Sequence, residues 1–161
     1  MSTINKCLKH FKVIVKHKYY VLIECWKMGL YWQGIVHDLS KFSPAEFVPS
    51  AKYFQGDKSP VDAERKAIGY SYAWRYHKAR NLHHWQWYID NDGVDENGVI
   101  KWNPAPMPDK YIKEMYCDML GAGKAYGAKT TIQEYYDAVK HEWLLHPETK
   151  EKFEKMLGIN E

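Results

Sequence analysis

Histidine and aspartate stand side by side at His37 and Asp38, followed by Leu39, Ser40 and Lys41. The adjacent imidazole and carboxylate supply a neutral nitrogen ligand and an anionic oxygen ligand from one point of the chain, a pair suited to divalent metals of intermediate softness. Lys41, three residues after the aspartate, falls on the same side of a helical turn, where its ammonium can meet the phosphate of a substrate held by that metal. A bare His-Asp dipeptide is common in proteins. Its weight here comes from an all-helical chain with further histidines at His10, His17, His77, His83 and His84.

The run Val36-His37-Asp38-Leu39-Ser40-Lys41-Phe42 resembles the central segment of the HD-domain superfamily. That family's pattern is a histidine on an early helix, the His-Asp pair and an aspartate on a later helix, and members with the His-Asp-x-x-Lys form use the lysine near the phosphate. The resemblance spans roughly His10 to Gly121, and its ordering is more specific than any one motif. The chain is also similar to a largely uncharacterised group of bacterial and phage proteins. These share a His-Asp-x-Ser-Lys-Phe-Ser segment, an Asn-x-His-His-Trp segment and a later Met-x-Cys-Asp, seen here as His37–Ser43, Asn81–Trp85 and Met115–Asp118. That likeness favours Asp118 and the His83-His84 pair, and it names no substrate.

Two histidines compete for the early position. His10 and His17 are seven residues apart, on one helical face with Glu24. His17 is preferred because it lies mid-helix, and its twenty-residue separation from His37 permits a helix–turn–helix hairpin that brings both side chains together. His10 lies nearer the frayed end. The closing ligand is expected at Asp118, an acid within the apolar run Glu114–Leu120, where a charge is costly without a partner. Its competitor Asp137 sits among Glu134, Lys140 and Glu142, the pattern of a solvated helix.

On a continuous helix His77, Asn81 and His84 form one stripe, yet seven residues of rise put His77 and His84 roughly 10 Å apart. They reach one ion only if the helix breaks, and an end near Asn81 lets His83 or His84 fold back. The HD resemblance implies two readings. In some members such extra histidines hold a second metal; in others a single metal suffices and the polar residues contact substrate. Here His77 with His84, preferred over His83 for its shared stripe, supplies the second ion, and Asp38 bridges. Lys41, Arg75, Lys78, Arg80, Asn81 and His83 are the candidates for binding substrate.

The elements that must position these residues read as helices. Leu8, Phe11, Val15, Tyr19, Leu22 and Trp26 recur at helical spacing from Thr3 to about Gly29. A short helix follows through Tyr31–Leu39, and Ser43-Pro44 with Glu46 reads as a capping box opening a third. Residues 55–62 form a loop, after which Asp62 caps a long helix toward His84 or beyond. Residues 90–108, with two glycines, three prolines and an Asn97-Gly98 step, form a loop with room for a small hairpin, placed to act as a lid. Helices then run from Asp109 to about Leu120, from Thr130 or Thr131 with Glu134 through Leu145, and from Pro147 to Leu157 before Gly158. Gly121-Ala122-Gly123-Lys124 lacks phosphate-loop spacing and reads as a helix terminus. Asp90–Asp95 lacks the glycine position and closing glutamate of a calcium loop. Trp85, Trp87 and Tyr88 read as core. The expected fold is all-α, a compact HD-domain-like bundle in one domain over residues 1–161.

A chain of 161 residues buries enough surface for one core. Its 45% hydrophobic and 27% charged content excludes disorder as the starting assumption. A net charge of +3 without clustering gives no strong nucleic-acid signal. Cys7, Cys25 and Cys117, odd in number and unpaired by motif, fit a reducing cytoplasm, and no apolar stretch suits a signal or a membrane span.

The resulting expectation is a metal-dependent phosphohydrolase. Manganese, iron, cobalt, zinc or magnesium, as one or two ions, is held by His17, His37, Asp38 and Asp118 and activates water against a small phosphate ester, in the first instance a nucleotide. Two alternatives stand beside it. HD-like folds with six protein ligands can hold two irons and activate oxygen, and a non-catalytic module could bind a nucleotide or protein. Oligomeric state is left open.

Overall fold

The computed structural model describes residues 3–56 and 59–159; Asp57 of the expected loop lies outside them. Helix α1 spans Thr3–Lys27 and stops at Gly29, whose φ of +72° is open to glycine without strain. Helix α2 is Tyr31–Val36, and a 3-10 turn at Leu39–Phe42 leads to α3, Pro44–Tyr53. Helices α4, Pro60–Ile68, and α5, Tyr72–Lys78, precede a 3-10 turn at Trp85–Tyr88. Strands β1, Ile89–Val94, and β2, Ile100–Pro104, pair antiparallel with Ile89 opposite Pro104 and a bulge between Asn91 and Val94. Helices α6, Asp109–Tyr126, α7, Ile132–Val139, and α8, Pro147–Met156, complete the fold. No helix is long and apolar enough to cross a membrane among the described residues.

The protein is therefore mostly helical with one two-stranded sheet, and not strictly all-α. The hairpin lies inside the segment read as a loop. The expected long helix from Asp62 to His84 is two helices: Gly69, at φ +84°, closes α4 by donating its N–H to the Arg65 carbonyl, and Ser71 caps α5 through the Trp74 N–H. Ser59, with Pro60 behind it, caps α4, so Asp62 pairs with Arg65 instead. Helix α6 runs past Leu120 to Tyr126, which puts Gly121–Lys124 inside a helix. Helix α7 stops at Val139, short of Leu145, after opening on the expected Thr131–Glu134 capping box.

Helix α1 turns a different face inward from the one its apolar period suggests. Leu8, Phe11, Val15, Tyr19 and Trp26 are exposed, while His10, Ile14, His17, Val21, Glu24 and Cys25 are buried. Of the polar members of the inner face, His17 pairs with Asp38 and Asp118 and Glu24 with Lys27 and Lys124, which offsets the cost of burying them, while His10 has no hydrogen-bond partner. One core cluster, Val21, Cys25 and Cys117, joins α1 to α6; another, with Met107, Ile112, Met115, Tyr136 and Phe153, joins α6 to α7 and α8, with Trp85 and Tyr88 against it. Trp87, also read as core, is exposed.

Helices α1 and α6 approach closely because residue 121 lacks a side chain. A Cβ there would meet the Val21 side chain and lie 2.9 Å from the Val21 nitrogen. Gly121→Ala is expected to push the helices apart at a cost of about 1–3 kcal/mol, lowering the melting temperature by roughly 2–12 °C. Thermal unfolding checks this; an unchanged midpoint would show that the contact is not needed.

Candidate metal centre

Helix α2 ends one residue before the His-Asp pair. His37 is extended, with φ −47° and ψ 126°, and Asp38 adopts φ +53°, the only non-glycine residue with positive φ among those described. This left-handed conformation is uncommon outside glycine, and aspartate is among the residues that tolerate it best. The turn buries both side chains and points them at α1 and α6. His17 arrives from the middle of α1, and Asp118 from the middle of α6.

Four donor atoms converge there. His17 Nε2 lies 3.3 Å from Asp38 Oδ2 and 3.1 Å from Asp118 Oδ1. His37 Nε2 lies 3.3 Å and 3.4 Å from the same two oxygens, and 3.4 Å from His17 Nε2. Ligands about 2.0–2.1 Å from one zinc-sized ion stand roughly 3.3–3.4 Å apart in a tetrahedron, so the spacing fits a shared ion. These four residues form one group that could hold a metal.

The second oxygen of Asp38 serves a second group with His77, His83 and His84. His77 Nε2 lies 3.3 Å and His83 Nε2 3.5 Å from Asp38 Oδ1, and His77 Nε2 lies 2.7 Å from His84 Nε2. The end of α5 at Lys78 allows this, since the chain turns back and delivers both members of the His83-His84 pair. His83, read as a substrate contact, stands among the donors, and the shared-stripe reason for choosing His84 falls with the long helix. Asp38 Oδ1 and His83 Nε2 are buried without a hydrogen-bond partner. Buried polar atoms are rarely left so, and a cation between them would supply what each lacks.

The rear nitrogens of the rings are tied down. His37 Nδ1 lies 3.0 Å and His83 Nδ1 3.2 Å from the same Glu114 oxygen, and His77 Nδ1 lies 2.8 Å from Glu46. Each N–H donates to its carboxylate, which leaves the Nε2 lone pair facing the cluster, as in carboxylate–histidine–metal sites. Ser40 Oγ donates to Glu46 at 2.6 Å, and Asn81 donates to Ser40 Oγ and to the His77 carbonyl. The sequence reading gives neither glutamate a role at this site. Glu114 is four residues before Asp118, hence on its face, a spacing that could have revealed it. Glu46 was assigned to a capping box, but Ser43 accepts from Ala45 and the glutamate is buried beside His77.

Replacing Glu114 by glutamine keeps the shape and removes the charge that orients two rings. Divalent-ion affinity is expected to fall about 10–100-fold, measured by competition with a chromophoric chelator. Unchanged affinity would show that Glu114 only packs.

The carboxylates give the site a negative potential. Burial raises the pKa of Asp38, but His37, His77 and Lys41 overcome that and hold it well below the usual carboxylate range. Burial acts likewise on Asp118, which hydrogen bonds from His17 and His37 hold low. His37 is pushed down by burial and further up by Asp38 and Asp118, ending well above an ordinary imidazole. His84 is kept neutral by burial and by its neighbours His83 and His77. A metal competes with such protons for the same nitrogens.

Lys41 Nζ stands 2.6 Å from Asp38 Oδ2 and lines a cavity of about 300 Å³ that also reaches His17, His77, His84 and Asp118. A second cavity of about 690 Å³ shares Trp74, His84 and Asp118 with the first, so the cluster lies at their junction. Arg75 and Arg80 are exposed, Arg80 over the Tyr76 ring, and neither they nor Lys78 line the cavities. Asn81 supports His77 instead of facing either space. No hairpin residue lines the two cavities. Asp137 is exposed and paired with Lys140, Glu24 is paired with Lys27 and Lys124, and His10 stands apart from both donor groups.

Fold and site together define a mostly helical protein with buried histidine–aspartate groups able to hold a metal ion. The chain belongs to the family described as a family of unknown function (DUF5662), whose model matches residues 6–159. No curated protein and no solved structure matches it.

Proposed function

We propose that the protein is a metal-dependent phosphohydrolase of the HD type that cleaves a small phosphate ester, with a nucleotide as the first candidate. The observation that carries this reading is Asp38, whose two oxygens face two separate donor groups while Lys41 stands beside it in an open cavity. His17, His37, Asp38 and Asp118 would hold one ion, and Asp38, His77, His83 and His84 a second. With neutral imidazoles, Asp38, Glu46, Glu114 and Asp118 set against Lys41 leave three uncompensated negative charges. One divalent ion leaves the site negative, whereas two make it positive by one charge, which suits a phosphate dianion.

Divalent ions supply an acidified water and polarise the phosphoryl group. The chain's own residues do the rest. Lys41 neutralises charge on the phosphate, and Glu46 and Glu114 fix the histidines. Phosphomonoesters and phosphodiesters both fit this chemistry. Reconstitution with manganese, cobalt or zinc and a panel of nucleotide esters tests it: phosphate release that stops on chelation and returns with metal is the expected result. Stoichiometric metal with neither phosphate release from monoesters nor cleavage of diesters to monoesters would overturn hydrolysis. The second reading, oxygen activation at two irons, is favoured by the five histidines among the donors, and bound iron whose optical spectrum changes on exposure to oxygen would support it.

A further inference from the structure

His10 is buried in α1 with neither ring nitrogen hydrogen-bonded, although its ring packs on Phe47 and Phe54 with centroids 5.5 Å and 4.9 Å away. Leaving both nitrogens of a buried imidazole unpaired is costly, and such groups call for a partner. The partner is not one of the proposed ions, because His10 lies two helical turns from His17, about 10 Å along the axis. It does line the cavity that contains Lys41 and the metal donors. The cavity wall combines the apolar Val13, Ile14 and Pro60 and the rings of Trp74 and Tyr126 with the polar Ser50 and Glu46.

Burial, reinforced by the charge of Lys41, lowers the His10 pKa to about 4. The ring is thus neutral at physiological pH and offers one donor and one acceptor. A neutral imidazole packed on Phe47 and Phe54 suits an uncharged group that carries both, such as the edge of a heterocyclic base, and is a poor clamp for a second anion. A span of about 10 Å from metal donors to His10 matches a ligand with a phosphate at one end and a ring at the other.

We propose that this end of the cavity is a recognition pocket in which His10 hydrogen-bonds an uncharged aromatic heterocycle of the substrate while the phosphate lies at Lys41 and the metal donors. It rests on the phosphohydrolase reading for the position of the phosphate, and its test separates the two.

Manganese-loaded wild type and His10→Phe are titrated calorimetrically with nucleoside 5′-monophosphates, ribose 5-phosphate and inorganic phosphate, and phosphate release is followed in the same samples. Phenylalanine retains the packing on Phe47 and Phe54 and removes both nitrogens. The wild type is expected to bind a nucleotide more tightly than ribose 5-phosphate. His10→Phe is expected to lose at least about tenfold on the nucleotide, equivalent to about 1.4 kcal/mol, with affinity for ribose 5-phosphate, phosphate and manganese unchanged. His10→Gln, which keeps a donor and an acceptor, is expected to retain most of the nucleotide affinity and replaces His10→Phe as the test if that variant fails to fold; Gln binding as weakly as ribose 5-phosphate would then count against the proposal. Equal nucleotide affinity in wild type and His10→Phe would overturn the pocket, leaving a bound water as the partner of His10. So would a wild type that prefers no nucleotide over ribose 5-phosphate. His10-dependent binding without turnover would keep the pocket and sink the hydrolase, and turnover without His10 dependence would do the reverse.

Discussion

Asp38→Asn is expected to abolish binding of the second ion, weaken the first, and reduce phosphate release by at least about three orders of magnitude, roughly 4 kcal/mol of transition-state stabilisation. The aspartate presents one oxygen to each donor group, and an asparagine offers a single neutral oxygen and an amide nitrogen whose delocalised lone pair binds no cation. Asparagine also tolerates the left-handed backbone at this position, where φ is +53°. The variant should therefore keep its helical circular dichroism while losing metal and turnover. Elemental analysis with a phosphate-release assay reads both effects. A variant that retains two ions and full activity would remove Asp38 from the site.

Chelation should produce the second large effect. An ion present at about a thousand times its dissociation constant stabilises the folded state by about 4 kcal/mol, and its removal would lower the melting temperature of a chain this size by roughly 8–16 °C. Loss of the ion leaves the buried Asp38, Glu46 and Glu114 and the half-buried Asp118 clustered opposite Lys41. The fall should be reversed by added metal and should be much smaller in Asp38→Asn. A midpoint indifferent to chelator would mean that the cluster is satisfied by its own protons.

Much of the site was legible in the sequence because its core is written locally. His37-Asp38 and Lys41 form a contiguous motif, and His17 and Asp118 follow from order and from the cost of an acid in an apolar run. The structure brings all four donors together and puts Lys41 beside them. What the sequence concealed depends on chain breaks and on partners distant along the chain. Gly69 and the early end of α5 decide that His77, His83 and His84 meet, and a continuous helical reading separates them. Glu46 satisfies a local capping rule on paper, yet His77, from another helix, claims its carboxylate. Glu114 gains meaning only from His37 and His83. In α1 the apolar period is real but faces outward, since the buried face is chosen by the contacts of His17 with Asp38 and Asp118 and by packing on α6, which no period reports.

Elemental analysis of the protein purified without a histidine tag bears most directly on the proposed dinuclear site. Two divalent ions per chain are predicted, with the second lost and the first weakened in Asp38→Asn, and the first lost in His37→Ala. Less than one ion per chain in the wild type after reconstitution, together with unchanged stability of His37→Ala, would contradict a metal centre at these residues.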